Sequence, residues 1–367
     1  MEGRNRRAGA QACARSVLML GLALASAGLA LAQMGAGKRM QNPVDYYFPG
    51  YDRNGDDKID RVEWAGRGNF ELLDANHDGG IDRTEFGALY GRLGQGWKHA
   101  APVAPAVPVV MDTTLDADLV EADEIGKAAF CIVARKSKCP EVDTLARTHG
   151  LMPTGLTPVF PAGITCPGID ETFALPYEDK TGKGNHGGID IPVDAGTPIV
   201  AAADGTVVLK VDNQQQLRGL AVTLRHSPED TGLPFWTYTE YAHLQSLPSQ
   251  VVGQRVRMGE VIGITGNTGV RPMQAGDRSF RRPGIHYAVY YAQSRRFTVR
   301  DDYVIAEKPH WMDPMALYRA SGPYASQVLA QLPDAEKDVL VSVMLLDGRT
   351  VPAAARRIWP YACRTAP

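Results

Sequence analysis

From Gly163 to about Ala320 the chain alternates apolar and polar positions in short runs. Thr197-Pro-Ile-Val-Ala, Gly205-Thr-Val-Val-Leu, Leu220-Ala-Val-Thr-Leu, Trp236-Thr-Tyr-Thr-Glu-Tyr-Ala and His286-Tyr-Ala-Val-Tyr-Tyr are rich in β-branched and aromatic residues. Glycine-rich turns separate them, which predicts strands joined into a mainly antiparallel β domain over residues 163–320. Elsewhere the pattern changes. Residues 43–92 are dense in Asp, Asn and Gly with aromatic residues between them. Residues 93–118 contain Ala101-Pro-Val-Ala-Pro-Ala-Val-Pro108, a run that cannot bury a core and reads as an extended spacer. Residues 119–162 read as a short helical segment. Residues 321–367 form a C-terminal extension, helical from Tyr324 to Pro333 and mixed after it. The fold class is multidomain α+β.

The N-terminus carries Arg4, Arg6, Arg7 and Arg15, an apolar run from Val17 to Leu31, and the small-x-small triplet Ala30-Leu-Ala32. This order reads as an export signal over 1–32, removed in the mature protein, rather than as a membrane anchor. The expectation is an exported protein, periplasmic or secreted, with no stable membrane span after removal. At 367 residues the chain can hold two or three domains. Its net charge of -2 excludes a polybasic nucleic-acid or membrane binder. Of five cysteines, Cys13 leaves with the signal. Cys131, Cys139, Cys166 and Cys363 remain and point to disulfides in an exported protein. Three connectivities are open, and the favoured one joins Cys131 to Cys139 and Cys166 to Cys363.

Two twelve-residue stretches place oxygen donors at the positions a hard cation needs. Asp52, Asn54, Asp56, Asp60 and Glu63 occupy positions 1, 3, 5, 9 and 12 of the first, with the Lys58 carbonyl at position 7. Asp74, Asn76, Asp78, Asp82 and Glu85 repeat the pattern, with Gly80 at position 7. Position 6 is Gly79 in the second loop and Asp57 in the first, so the first is expected to be the weaker site. Ile59 and Ile81, at position 8, are placed to pair the loops through a short β-bridge. The segment resembles a tandem EF-hand, with one short helix, roughly Trp64 to Leu73, serving both loops. That resemblance implies calcium, bound for structure. An acidic surface without an ion is the alternative.

The chemistry centres on His186-Gly-Gly-Ile-Asp190 and on His286 at the head of an apolar strand. On an extended strand i and i+4 share a face, so His186 and Asp190 can point at one ion with Ile189 and Ile191 in the core. Two imidazoles and one carboxylate are a ligand set suited to catalytic zinc. Residues His186 to Val207, Tyr241-Ala-His243-Leu, the glycine series from Gly253 to Gly269 and His286-Tyr-Ala-Val resemble, in order, the lysostaphin-type (LytM-like) zinc endopeptidases. The likeness runs from about 170 to 295. It implies a small antiparallel β metallopeptidase domain acting on peptidoglycan peptides, with His186, Asp190 and His286 as zinc ligands and His243 as a catalytic histidine. His226 is a rival imidazole that the resemblance leaves as a strand-end residue.

One position departs from that pattern. The family's closing strand carries His-x-His, and this chain has Gly284 and His286. Arg271, Arg278, Arg281 and Arg282 crowd the preceding loop. Arg281 or Arg282 can stand in as an oxyanion donor, or the loop can be a basic surface that grips substrate carboxylates. The leading function is zinc-dependent hydrolysis of peptide bonds in bacterial peptidoglycan. The alternative is a catalytically weakened cell-wall binding or hydrolase-regulating protein that retains a structural zinc. Nothing in the sequence supports a calcium switch acting through the spacer.

Overall fold

The computed structural model describes residues 48, 51–64, 70, 74–86, 108–135, 139, 141–179, 182–269 and 282–366. The signal expected over 1–32 lies outside them, as does Arg281. No helix among the described residues is long and apolar enough to cross a membrane.

The two acidic loops are joined by an antiparallel pair, β1 (Lys58–Ile59) and β2 (Ile81–Asp82), with Ile59 opposite Ile81 and both side chains fully buried. Each loop folds back on its last glutamate. Glu63 accepts the Arg53, Asn54 and Asp60 N–H groups at 2.8, 3.0 and 3.1 Å. Glu85 accepts those of Asn76 and Asp82 at 3.1 and 3.0 Å. Asp57 takes a φ of 63°, the left-handed conformation that Gly79 adopts at the matching position. Of the helix expected over roughly Trp64 to Leu73, only Trp64, the last residue of a helix Arg61–Trp64, and Phe70 are described, and both are helical.

The β domain is built on one seven-stranded antiparallel sheet. Its strands are β3 (Ile189–Pro192), β4 (Gly205–Asp212), β5 (Leu220–His226), β6 (Trp236–Ala242), β7 (Arg255–Val256), β8 (Gly284–Ala292) and β9 (His310–Met312). The order is β7-β4-β5-β6-β8-β9, with β3 pairing the first residues of β8. Both faces are covered, so the central strands are buried almost throughout, and alternation gives way to continuous burial in β5. A second sheet of Pro198–Val200, Leu244–Ser246 and Val261–Thr265 shares the same core through Ile199, Leu244 and Ile262.

Two segments that read as appendages are part of this body. Arg255 N–H donates to Val110 O at 2.8 Å, and Met111 bridges Gln254, so the expected spacer is docked from Val110 onward. Asp118, 2 % exposed, accepts from the equally buried Arg225 at 2.6 Å. The Arg225 guanidinium also lies 3.7 Å from the Trp236 ring centroid. Burying a charge demands such pairing, and a charged residue that will be buried looks like any surface residue in sequence. The C-terminal extension buries Trp359, Tyr361 and Cys363 completely. Disulfides join Cys131 to Cys139 and Cys166 to Cys363, the favoured connectivity.

Candidate metal centre and active site

His186, Asp190 and His286 converge. His186 Nε2 lies 2.9 Å from His286 Nδ1 and 3.2 Å from Asp190 Oδ1, and His286 Nδ1 lies 3.0 Å from the same oxygen. Their side chains are 13–15 % exposed, so the cluster is not sealed in the core.

Register explains half of this. Asp190 on β3 is directly opposite His286 on β8, which is opposite Ala242 on β6. Directly opposed residues in antiparallel strands project to one face. His186 arrives differently from the strand repeat expected for it. The chain bends at Gly187 and Gly188 before β3 begins. An added Cβ at Gly188 would lie 2.4 Å from Tyr287 O, so only glycine allows β8 that close. His186 is fixed from the other side by segment 170–175: its N–H donates to Leu175 O, its carbonyl accepts from Ala174 N, both at 2.8 Å, and its Nδ1 lies 3.1 Å from Thr172 O. Donation from Nδ1 to that carbonyl leaves the lone pair on Nε2, the atom that faces Asp190 and His286.

Charge couples the three groups. Burial opposes protonation of His186, but the adjacent Asp190 outweighs it and raises the pKa above the ordinary imidazole value. Burial lowers the pKa of His286. Asp190 stays well below the usual carboxylate range in spite of burial, because two imidazoles stand against it.

His243 follows β6 with a φ of 67° and is 4 % exposed. Its Nδ1 lies 2.9 Å from Thr268 O, and its ring centroid is 6.1 Å from that of His286, edge-on. The neutral ring that donates from Nδ1 carries its lone pair on Nε2, the form a general base needs. A cleft beside the cluster is lined by Glu171, Asp190, His243, Arg282 and Gly284. Arg282 is ion-paired with Asp170 there. His226 is far from this chemistry in character: fully buried, it bonds Asp204 O at 2.6 Å and Thr239 Oγ1 at 2.7 Å, and burial lowers its pKa.

Gly284 does more than omit an imidazole. A Cβ placed there would lie 2.8 Å from Ile191 O and 2.9 Å from Pro192 Cα. The β3–β8 contact is therefore built around the missing side chain. Glu171 escaped the sequence reading, which had no periodic signal to place it; only its bridge to Asp190 brings it to the cleft.

In the acidic loops the donors of Asp52, Asp56 and Glu63 gather closely enough to share one ion. Asp78 of the second loop is instead engaged by Lys58 Nζ at 2.6 Å.

The antiparallel β domain thus brings two imidazoles and a carboxylate together beside a cleft lined by a further imidazole, a donor set able to hold a metal ion. Residues 184–298 match the model of peptidase family M23. An uncharacterized metalloprotease of Haemophilus influenzae is 44 % identical over 85 residues, 23 % of this chain and 16 % of that protein. The peptidoglycan DD-endopeptidase ShyC of Vibrio cholerae is 40 % identical over 85 residues, 23 % of this chain and 17 % of that one. The chain thus spans about a sixth of the length of these relatives (16 and 17 %). Among solved structures, the catalytic domain of the antimicrobial peptidase lysostaphin from Staphylococcus simulans is 24 % identical, covering 33 % of this chain and 77 % of that one, with a TM-score of 0.24. The M23 likeness belongs to the segment that holds His186, Asp190, His243, Gly284 and His286.

Proposed function

We propose that this chain is an exported zinc-dependent endopeptidase that hydrolyses peptide bonds in bacterial peptidoglycan. The observation that carries the reading is the convergence of His186, Asp190 and His286 within 3.2 Å of one another. The donor set fits zinc: two imidazole nitrogens and a carboxylate, with the tautomer of His186 set by Thr172 O. Zinc bound there supplies Lewis acidity toward the scissile carbonyl and lowers the pKa of water toward neutrality. His243 takes the proton from the attacking water at Nε2, while Thr268 O holds Nδ1–H and fixes the ring. Arg282 lines the cleft while paired with Asp170, and its remaining N–H donors are assigned to substrate carboxylate or the developing oxyanion. Arg281, its chain neighbour, is assigned to the same task. In the N-terminal segment the paired loops form a tandem EF-hand that takes calcium for structure, the first loop gathering its donors most tightly.

Digestion of purified peptidoglycan, with and without a zinc chelator and with His243→Ala, tests the reading. We expect chelation to abolish release of peptides and His243→Ala to lower the rate by about 10²–10³-fold. A wild-type protein that binds peptidoglycan without metal-dependent release would favour the second reading, a wall-binding or hydrolase-regulating protein with a structural zinc. Gly284, which removes one imidazole from the cleft, is the observation on that side.

A further inference from the structure

Glu171 extends the row that carries the candidate metal. It bridges Asp190 in antiparallel register, with Asp190 N–H donating to Glu171 O at 2.9 Å and Asp170 N–H to Asp190 O at 3.0 Å. Glu171, Asp190, His286 and Ala242 therefore stand directly opposite one another on successive strands, with side chains toward one face. The Glu171 carboxylate is not one of the three groups whose donor atoms converge, so it stands beside the metal position and not on it. It does line the cleft. It also precedes residue 184, where the family match begins.

Other charged groups at the cleft have strong partners within the chain. Arg282 is held by Asp170, and Asp190 by the two imidazoles. Glu171 is half-buried, and within the chain its carboxylate acts on the His186 imidazole, whose pKa it helps to raise; its outer side faces the cleft. A partly desolvated carboxylate gains most from a cation, and here the open cleft is where one can come from.

We propose that Glu171 determines specificity by receiving a substrate ammonium group, so that the preferred peptide carries a free amino group close to the scissile bond. This deepens the peptidase reading and rests on it. The ammonium donates to the Glu171 carboxylate and draws the chain across the cleft, so the contact acts on substrate capture and appears in KM more than in kcat.

The test uses the full chain and two synthetic cross-link peptides that differ only in whether the amino group beside the scissile bond is free or acetylated. Wild type cuts the free-amine peptide about tenfold faster at low concentration, the scale of one charge-assisted hydrogen bond. Glu171→Gln cuts both at the rate of the acetylated one, and Glu171→Asp keeps part of the preference. Calorimetric binding of both peptides to His243→Ala and to His243→Ala/Glu171→Gln reads the same contact without turnover. Both peptides cut alike by wild type, or a preference intact in Glu171→Gln, overturns the proposal and leaves the peptidase reading standing. A fall in kcat on both peptides with the preference unchanged also overturns it, since Glu171 would then serve the chemistry. Ammonium-dependent binding that Glu171→Gln abolishes, with neither peptide ever cut, supports the Glu171 contact and overturns the peptidase reading. Neither cutting nor binding overturns both.

Discussion

Restoring a histidine at position 284 is the obvious repair of this cleft, and the geometry says that it fails. Gly284 opens β8 opposite Pro192, and its N–H donates to Gly266 O at 3.2 Å. Any side chain there begins with a Cβ 2.8 Å from Ile191 O and 2.9 Å from Pro192 Cα. Both neighbours are backbone, so no rotamer change relieves the contact; β3 must move. Overpacking of this kind costs about 1–3 kcal/mol. Ile191 follows Asp190 directly, so the same shift drags a candidate ligand, and a displacement of about 1 Å at a reacting centre can cost about a hundredfold in rate. We expect Gly284→Ala and Gly284→His both to lose about 1–3 kcal/mol in urea unfolding, and Gly284→His to release peptidoglycan fragments more slowly than wild type. Alanine separates the steric cost from the chemistry of the ring. Unfolding midpoints equal to wild type, or a faster Gly284→His, would refute the steric argument.

Three further outcomes follow from the surrounding structure. Burial pushes the Asp313 carboxyl up to about 6, against donation from Thr154 Oγ1 and Met315 N–H. Its folded pKa exceeds the unfolded one, so its stabilising contribution is complete below about pH 4 and is lost as pH rises through 6, a change of roughly 3 kcal/mol. The stability difference between Asp313→Asn and wild type should therefore move in favour of the variant across that window in urea titrations; a pH-independent difference would count against it. Asp118→Ala leaves the Arg225 guanidinium buried without its carboxylate and should cost about 3–5 kcal/mol in the same assay, a loss under about 1 kcal/mol refuting the pairing. Cys166 and Cys363 are separated by 197 positions and Cys131 and Cys139 by 8. Chain entropy then predicts that removing the first bridge costs roughly 5 kcal/mol and the second roughly 2.5, measurable as paired Cys→Ser variants.

The β domain was legible because alternation and glycine-rich turns are local signals, and the family resemblance singled out His186, Asp190 and His286, which the fold brings together. Three features were not. The turn at Gly187 and Gly188 looks like strand from residue spacing, and only the approach of Tyr287 O shows why the chain bends. Val110 to Asp118 read as spacer because its stabilising contacts, Arg255 N–H on Val110 O and Arg225 on Asp118, come from residues more than 100 positions away. Glu171 sits in a segment with no period, and its place at the cleft follows from pairing with Asp190.

The Glu171–Asp190 contact is part of a larger support. Within the sheet β3 has only β8 as a partner, so the other edge of the strand bearing Asp190 needs cover. Residues 170–171 close that edge, and 172–175 hold His186. That wall is anchored in turn by the C-terminal extension. Cys363 is bonded to Cys166, Trp359 Nε1 donates to Pro167 O at 3.1 Å, and Arg364 pairs with Thr165. The family match ends at residue 298, yet the candidate ligands depend on residues up to 364 for their placement. Truncation after residue 320 should therefore weaken zinc binding, read by metal content after dialysis, as well as stability. A truncated chain that folds and keeps wild-type zinc affinity would show that β8 alone suffices to position Asp190.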